Sequence, residues 1–395
     1  MFLIIYLILF VPLLLFVEYN KKGFVGLGTI IFFSTIIIFP GFFELDKKII
    51  FGIYIFTFIA LLLDYKFKNI NLSNNNNNNN KLVNVLGVIF FFLVTIDMFY
   101  RIISAGGLIN VLLYNRLDDY LTGLKQKNNL MMMISILFPF GYLLIGSFLL
   151  DKKRSIGFIL LATLTFYLLV TSNTRFAIVI PILACVLLNY TEKIKYKRVV
   201  SLFCVLLMIP LSVPFLIIGS FLRHGRLDKM TFENLLNFEN IFNELNYNIW
   251  VNDLVIFVEK NQEFRLGYDW FVVPIINFIP RSLWNDKPLT SISNNLSEKI
   301  YLADIGGGDA VTTFTIYGEA YWQFWYLGFI ILPIITFVLY RVLYYLSSQF
   351  SGGVYLYSIF LVKYFALVRA ETPIFQLLYM IIVLYLLILL GRIKV

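Results

Sequence analysis

The chain consists mainly of long apolar runs that are separated by short polar connectors. Crossing the hydrocarbon core of a bilayer as a helix takes about 20 mostly apolar residues. Eleven runs approach or exceed that length, and each is predicted to form a membrane-spanning helix. They lie at 2–17, 24–43, 49–63, 82–100, 130–150, 156–172, 175–190, 199–222, 311–340, 354–369 and 374–391. The pattern therefore predicts an all-α polytopic membrane protein.

The composition agrees with that fold class. Of the 395 residues, 60% are hydrophobic and 14% are charged, whereas soluble domains are about 45–50% apolar. The first run lacks a preceding basic residue and is followed by Lys21 and Lys22, which favours a first transmembrane helix over a cleaved signal peptide. Two cysteines, Cys185 and Cys204, and a single histidine predict neither a disulfide framework nor a metal site.

One long polar segment, residues 223–310, interrupts the apolar runs. It contains eight basic and twelve acidic residues, so the net charge of +9 arises from the short connectors. A nucleic-acid-binding protein would need a concentrated basic face, and this distribution excludes one. The sequence thus divides into N-terminal membrane helices at 1–222, a large loop at 223–310, and C-terminal membrane helices at 311–395.

Basic clusters in the connectors predict the orientation, because Lys and Arg are enriched in cytoplasmic loops. Strict alternation of the eleven runs places all five clusters on the cytoplasmic side and the loop 223–310 outside, in the periplasm or the extracellular space. The clusters are Lys21-Lys22, then Lys66, Lys68 and Lys81, then Lys152-Lys153-Arg154, then Lys193 to Arg198, and finally Arg392 with Lys394.

The loop 223–310 contains apolar residues of its own. From Phe232 to Ile249 they recur at helical spacing, which predicts one or two amphipathic helices on the outer face. The run Trp270–Ile279 is too short to span and contains Pro274. We expect it to lie at the membrane interface or to enter the membrane as a covered re-entrant segment.

Ionisable residues inside apolar runs are costly, and they mark either function or internal pairing. Under the predicted topology they gather on the outer side. They are Asp97, Arg175, Glu319, Lys363 and Arg369. Lys363 lies about 9 Å deeper than Arg369 at the helical rise, a depth that matches Glu319. The sequence therefore predicts a Glu319–Lys363 pair, which either holds the structure together or keeps the carboxylate ionised in a cavity.

Further cations stand near the outer membrane boundary. Arginine presents a fork of donors that fits phosphate oxygens, so these cations suit a lipid-linked diphosphate. The candidates are Arg175, Arg223, Arg226, Arg265, Arg281, Lys287 and Arg369. Of these, Arg226 and Arg265 are expected to pair with acids of the loop instead. His224, the single histidine, is a candidate general base or an ordinary residue at the start of the loop.

Four short motifs in this order resemble those of the Wzy-type O-antigen and oligosaccharide repeat-unit polymerases. The first is Ser172-Asn173-Thr174-Arg175, and the second is Pro280-Arg281 followed by Trp284 and Lys287-Pro288. The third is Gly318-Glu319-Ala320-Tyr321 with Phe324 and Gly328 after it. The fourth is Arg369, although Arg369-Ala370-Glu371 stands where an Arg-Gly pair is more usual in that family.

The resemblance implies a GT-C-like glycosyltransferase of the inner membrane, acting in lipopolysaccharide or related polysaccharide biosynthesis. It would transfer a glycan from undecaprenyl diphosphate to an incoming lipid-linked repeat unit, without cofactor or metal. Membrane lipid and a chain-length regulator protein are the further partners it implies. Glu319 and His224 would be catalytic, and the substrate-binding residues would be Arg175, Arg223, Arg281, Lys287 and Arg369.

Two other functions fit the same architecture. A flippase or exporter would move a lipid-linked oligosaccharide without chemistry, but it should distribute charges through the bundle and have short loops. An O-antigen ligase would share the donor and use lipid A core as the acceptor. The Pro-Arg…Lys-Pro and Gly-Glu-Ala-Tyr segments favour the polymerase over the ligase.

Overall fold

The computed structural model describes most of the predicted helices and part of the predicted loop. The described residues are 2–20, 26–38, 45–66, 81–104, 106–108, 111, 129–150, 154–171, 180–182, 184–185, 248–277, 279, 283–284, 292–302, 314–367 and 374–392. About 90% of them are helical and none lies in a β-strand. The all-α prediction is therefore confirmed for this part of the chain.

Fourteen helices are formed by the described residues, with one 3-10 turn at Trp325–Leu327. They are α1 (Phe2–Asn20), α2 (Leu27–Ile38), α3 (Lys47–Lys66), α4 (Lys81–Ser104), α5 (Asn129–Leu150), α6 (Arg154–Thr171), α7 (Asn248–Asn261), α8 (Tyr268–Phe271), α9 (Val273–Asn277), α10 (Ile292–Tyr301), α11 (Thr315–Phe324), α12 (Gly328–Ser347), α13 (Gly353–Leu367) and α14 (Ile374–Arg392). Nine of the predicted apolar runs coincide with these helices. The runs 175–190 and 199–222 lie largely or wholly outside the described residues.

Membrane character is visible in the lengths of these helices. Within the described residues, three helical stretches are long and apolar enough to cross a membrane, namely Lys47–Lys66, Lys81–Ser104 and Thr315–Ser347. Shorter apolar helices are found at Leu3–Val17, Leu27–Ile36, Ile134–Leu150, Arg154–Leu168 and Gln376–Leu390. The count of eleven spans and the location of residues 223–310 outside the membrane stay predictions.

The chain forms two compact units. The first comprises residues 1–71, 245–343 and 363–386, and the second comprises residues 72–244, 344–362 and 387–395. The sequence predicts different boundaries, after residues 222 and 310, which separate membrane helices from the large loop. The compact units do not test those boundaries, so they stay predictions.

Polar side chains define two helix starts in the first unit. The Asp46 carboxylate accepts the backbone N–H of Lys48 at 2.7 Å, which caps the first turn of α3. At the other end of α3, the buried Asp64 carboxylate accepts the backbone N–H of Gly28 at 2.7 Å, near the start of α2. Gly28 is needed there, because a Cβ atom would lie 2.7 Å from the carbonyl carbon of Ala60. The two helices therefore pack backbone to backbone.

The core of the first unit surrounds α11, in which residues 315–323 are all buried. On one side, the Tyr317 hydroxyl hydrogen-bonds Thr35 of α2, and its ring lies 5.2 Å from that of Phe56 on α3. On another side, Gly318 faces Leu254 of α7. Because α11 is enclosed by other helices, its polar side chains must find partners within the protein.

Four helices of the predicted loop, α7 to α10, also belong to this unit. Helix α7 buries Val251, Leu254 and Val258, and Tyr301 of α10 donates a hydrogen bond to Asp253 of α7 at 2.6 Å. Ile249, the last residue of the predicted amphipathic pattern, is exposed on α7. The rest of that pattern, from Phe232 to Leu245, lies outside the described residues.

The segment Trp270–Ile279 includes the end of the short helix α8 and all of the short helix α9. Trp270 and Val273 are buried, while Phe271 and Ile275 are exposed. One face of the segment thus packs on the protein and the other presents apolar side chains. This arrangement is compatible with the expected interfacial location.

In the second unit, α4, α5 and α6 pack closely together at small residues. Gly141 of α5 lies against the Phe90 ring of α4, and Gly157 of α6 lies against Leu149 of α5. A third contact of α5 is made at Gly146, where a Cβ atom would lie 2.5 Å from the carbonyl oxygen of Gly352. Glycine at each of these positions lets neighbouring backbones or rings approach.

Candidate functional site

The ninth apolar run is divided into two helices, α11 and α12, at the 3-10 turn. Trp325 adopts φ 54° and ψ −136°, a conformation that interrupts the helix and that glycine adopts more readily than other residues. The chain then turns so tightly that a Cβ atom on Gly328 would lie 1.8 Å from the Ala320 carbonyl oxygen. The sequence predicts a run at 311–340 that is long enough to tilt in the membrane or to begin as an outer helical turn, and the structure shows that the helix is broken at Trp325–Leu327.

Glu319 lies on α11 with only 1% of its surface exposed. Its Oε1 accepts a hydrogen bond of 2.5 Å from the indole N–H of Trp270 on α8. A buried carboxylate needs donors that replace the water it has lost, and Trp270 supplies one. The predicted catalytic residue is thus held by a segment of the predicted loop.

A second pair of side chains joins the same two elements one helical turn later. Gln323, four residues after Glu319, donates its amide N–H to the Asp269 carboxylate at 2.5 Å. Asp269 also accepts two hydrogen bonds from the Arg265 guanidinium, at 3.0 and 3.1 Å. We call this set of hydrogen-bonded side chains the α11 ladder. Its members are Glu319, Trp270, Gln323, Asp269 and Arg265.

Local backbone geometry aligns the ladder. Gly267 has φ +81°, and a Cβ atom there would lie 2.7 Å from the Phe324 ring, so only glycine allows this approach. The backbone N–H of Arg265 donates to the Trp322 carbonyl near the end of α11, at 3.1 Å. The guanidinium carbon also lies 5.3 Å from the Trp322 ring centre. A cation at a helix C-terminus is favourable, because the helix dipole is negative there.

The expected pairing of Arg265 with an acid of the loop is confirmed. Burial disfavours the charged guanidinium, but the hydrogen bonds and the charge of Asp269 outweigh that cost and raise the pKa of Arg265. A bidentate Arg–carboxylate pair of this kind is a strong and directional contact. Arg265 therefore serves the structure of the ladder rather than a free diphosphate site.

The expected Glu319–Lys363 pair is wrong, because these two described residues form no ion pair. Instead, the buried Tyr364 of α13 lies close enough to Glu319 for the two side chains to interact electrostatically. A step of one residue turns the side chain by about 100° around a helix. Equal depth in the membrane was therefore not enough to predict a contact between Glu319 and Lys363. The side of α13 near Glu319 carries the next residue, Tyr364, instead.

Most of the other predicted site residues fall on parts of the chain that the structure does not describe. These residues are Arg175, Arg223, His224, Arg226, Arg281, Lys287 and Arg369. Their roles and their mutual distances stay predictions. Of the residues predicted to be catalytic or substrate-binding, Glu319 is the one that lies in the described part of the chain.

Two buried polar atoms of α11 have no hydrogen-bond partner within the described part of the chain. They are the Trp322 indole nitrogen and the Gln323 carbonyl oxygen. Exchanging the nitrogen and oxygen of the Gln323 amide would not give the oxygen a partner, because the nitrogen must face the Asp269 carboxylate.

Trp270, Asp269 and Gln323 were not predicted as site residues. The spacing of Glu319 and Gln323 places both on one face of a helix, and that signal was available in the sequence. The partners Asp269 and Trp270 lie about fifty residues earlier. No local pattern connects two segments at that separation.

Comparisons of the chain with protein-family models, with curated proteins and with solved structures find no match.

Proposed function

We propose that the protein is a membrane-embedded polymerase of lipid-linked oligosaccharides. It joins undecaprenyl-diphosphate-linked repeat units into O-antigen or a related surface polysaccharide on the outer face of the inner membrane. The proposal rests on the Wzy-type motifs and on the predicted topology. Its main structural support is the environment of Glu319, the acidic residue of the Gly-Glu-Ala-Tyr motif.

The burial of Glu319 supports a functional role. A carboxylate in a helix of a predicted membrane span costs several kcal/mol unless other groups compensate. Here one compensating donor, Trp270, comes from the predicted outer loop. Such a contact links the membrane helix that carries the motif to the segment just before Pro280-Arg281.

The proposed reaction follows from the nature of the substrates. A hydroxyl oxygen of the incoming repeat unit attacks the anomeric carbon of the growing glycan and forms the new glycosidic bond. The bond between that carbon and the diphosphate breaks, and undecaprenyl diphosphate leaves with the electron pair. The hydroxyl proton passes to a base. Positive charge around the diphosphate stabilises the departing anion.

The predicted cations supply that positive charge, with Arg175, Arg281 and Arg369 nearest to the membrane. Glu319 is the proposed base, and His224 is the alternative. Because the 265–270 segment covers Glu319, the base role requires the acceptor to displace Trp270 from the carboxylate. If the hydrogen bond between Trp270 and Glu319 instead persists throughout the reaction, Glu319 positions the loop and His224 accepts the proton.

A flippase is the second candidate, and the broken helix favours it. Discontinuous helices often form substrate sites in transporters, because unwound backbone exposes polar groups there. A ligase remains the third candidate, since it would use the same donor. These three functions predict different glycan patterns in cells.

Deletion of the gene, followed by gel analysis of the surface glycans, separates the candidates. A polymerase deletion leaves glycans with one repeat unit and removes all longer chains. Loss of all capped glycan would contradict the polymerase and indicate a ligase or a flippase.

Single substitutions then test the proposed diphosphate site. Arg281→Ala and Arg175→Ala should each abolish elongation while the protein is still expressed in the membrane. Lys299→Ala is the matched control, because Lys299 is a loop cation that pairs with Glu263 on the surface. Full-length glycans in both arginine variants would contradict the proposed role of these cations.

A further inference from the structure

The break between α11 and α12 presents an aromatic surface that the proposed chemistry does not use. Trp325 is 49% exposed, and its ring lies 5.1 Å from that of Tyr326 and 6.1 Å from that of Phe264. All three belong to the first unit. We call these three residues the Trp325 platform.

A polar edge adjoins the platform. The Trp325 indole N–H donates to the Tyr321 hydroxyl at 2.7 Å, and that hydroxyl donates to the Glu259 carboxylate at 2.9 Å. Glu259 also forms an ion pair with Lys48, and both side chains are more than a third exposed. The exposed indole and the exposed carboxylate are therefore separated by a single hydroxyl group.

The strained backbone conformation at Trp325 points to a functional role for its exposed ring. Its φ of 54° and ψ of −136° suit glycine and are unfavourable for a bulky side chain. Strained residues of this kind concentrate at binding and catalytic sites. A large aromatic side chain that is both strained and half exposed contributes less to stability than a buried one would.

The hydrogen bonding of Trp325 argues against an ordinary interfacial tryptophan. Interfacial tryptophans place an apolar ring in lipid and a polar N–H at the wet boundary. Here the N–H is already bonded to Tyr321 inside the protein, so only the ring face and ring edge remain for a ligand. The Lys48–Glu259 pair further places two charged groups one hydroxyl away from the indole N–H.

We propose that the Trp325 platform binds a pyranose ring, with the sugar's C–H face on the indole and its hydroxyls on Glu259 and Lys48. One face of a pyranose is apolar and its rim is rich in hydroxyls, which matches an aromatic surface bordered by a carboxylate and an ammonium group. The site rests on the proposed function for the identity of its ligand, a sugar of the lipid-linked oligosaccharide. It holds the glycan and takes no part in bond breaking.

Saturation-transfer difference NMR tests this site on the full-length protein in lipid nanodiscs. The probes are methyl glycosides of common hexoses, 6-deoxyhexoses and N-acetylhexosamines. At least one probe should receive saturation at its ring C–H protons. Trp325→Gly should weaken that signal at least tenfold, because it removes the platform and keeps a residue that suits the backbone.

Two further variants control for folding and for position. Trp325→Phe keeps an aromatic face and should retain more of the signal than Trp325→Gly. Leu327→Ala removes another exposed apolar side chain of the same 3-10 turn and should leave the signal unchanged. Thermal unfolding of each variant verifies that it is folded.

Three results would overturn the site. They are the absence of a signal from every probe, an equal signal in wild type and folded Trp325→Gly, and quenching of Trp325 fluorescence by brominated lipid but not by iodide. The last is measured as the difference between wild type and Trp325→Phe, and it would identify hydrocarbon as the occupant. Sugar binding in a protein whose deletion leaves glycan length unchanged would support the site and contradict the polymerase.

Discussion

Asp97 in the second unit and Glu319 in the first are both buried carboxylates in apolar helices, but they differ in the kind of partner that the structure describes for them. Asp97 accepts a hydrogen bond from Arg101 on its own helix at 2.8 Å and another from Tyr167 at 3.2 Å. Glu319 accepts one from Trp270, 49 residues away. The first carboxylate is therefore paired with a cation on its own helix, whereas the second accepts a hydrogen bond from a neutral indole on a separate segment.

This difference suggests different roles for the two residues. A carboxylate that pairs with a cation four residues away on its own helix keeps that partner even when the helix changes its position in the protein. A carboxylate that accepts from a neutral donor on a separate segment becomes more accessible to a substrate when that segment moves. We therefore expect Asp97 to affect stability and Glu319 to affect activity.

The largest expected effect is the loss of activity in Glu319→Gln. If Glu319 is the base, replacing its carboxylate with an amide should reduce polymerisation by about 10²-fold or more. The amide oxygen still accepts the Trp270 N–H, so folding should be preserved. Glycan length in a complemented deletion strain measures the effect.

Asp97→Asn is the matched control for that variant, because it makes the same change at the other buried carboxylate. It should retain long glycans while lowering the unfolding temperature. Full activity in Glu319→Gln together with a lower unfolding temperature would assign Glu319 a structural role and would weaken the contrast.

The next effect concerns stability in the second unit. Arg101→Met should destabilise the protein by about 2–3 kcal/mol, since it leaves a buried carboxylate without its cation. The double variant Asp97→Asn with Arg101→Met should be less destabilised than Arg101→Met alone. Thermal unfolding in detergent measures the stability of both variants. If the destabilisation of the double variant equals the sum of the two single effects, Asp97 and Arg101 do not stabilise each other.

A smaller effect isolates the Trp270 hydrogen bond. Trp270→Phe and Trp322→Phe remove the same atoms from two buried indoles of the first unit. Only the Trp270 N–H has a hydrogen-bond partner within the described part of the chain. Trp270→Phe should therefore cost about 1–3 kcal/mol more than Trp322→Phe, and equal unfolding temperatures would remove the argument that this bond stabilises the ladder.

The smallest effect is a dependence on pH at the Lys48–Glu259 pair. The hydrogen bond from Lys48 lowers the pKa of Glu259. A lowered carboxylate pKa gives stability that is present above the unfolded-state pKa and is lost as the pH falls through the folded-state pKa. The pair is largely exposed, so we expect about 1 kcal/mol or less.

Glu259→Gln provides the measurement for that effect. The variant should unfold at a lower temperature than wild type at neutral pH, and the difference should shrink as the pH falls into the acidic range. A difference that stays constant with pH would mean that the ionised carboxylate is not what stabilises this contact.

Several local features of the fold could be predicted from the sequence. Apolar length predicted the helices, and the described residues coincide with nine of the predicted runs. The spacing of Asp97 and Arg101 is that of a helical ion pair, and Glu319 and Gln323 lie on one helix face for the same reason. Such features depend on neighbours within one or two turns, which the sequence gives directly.

The sequence by itself determined that this is an α-helical chain of long apolar segments with a carboxylate at residue 319. Only the tertiary structure decided that Trp270 rather than Lys363 contacts Glu319, and that the helix breaks at Trp325. The physical reason is that helix formation follows from local composition and period. Contacts between distant segments depend instead on how side-chain volumes and backbones fit together across the whole unit.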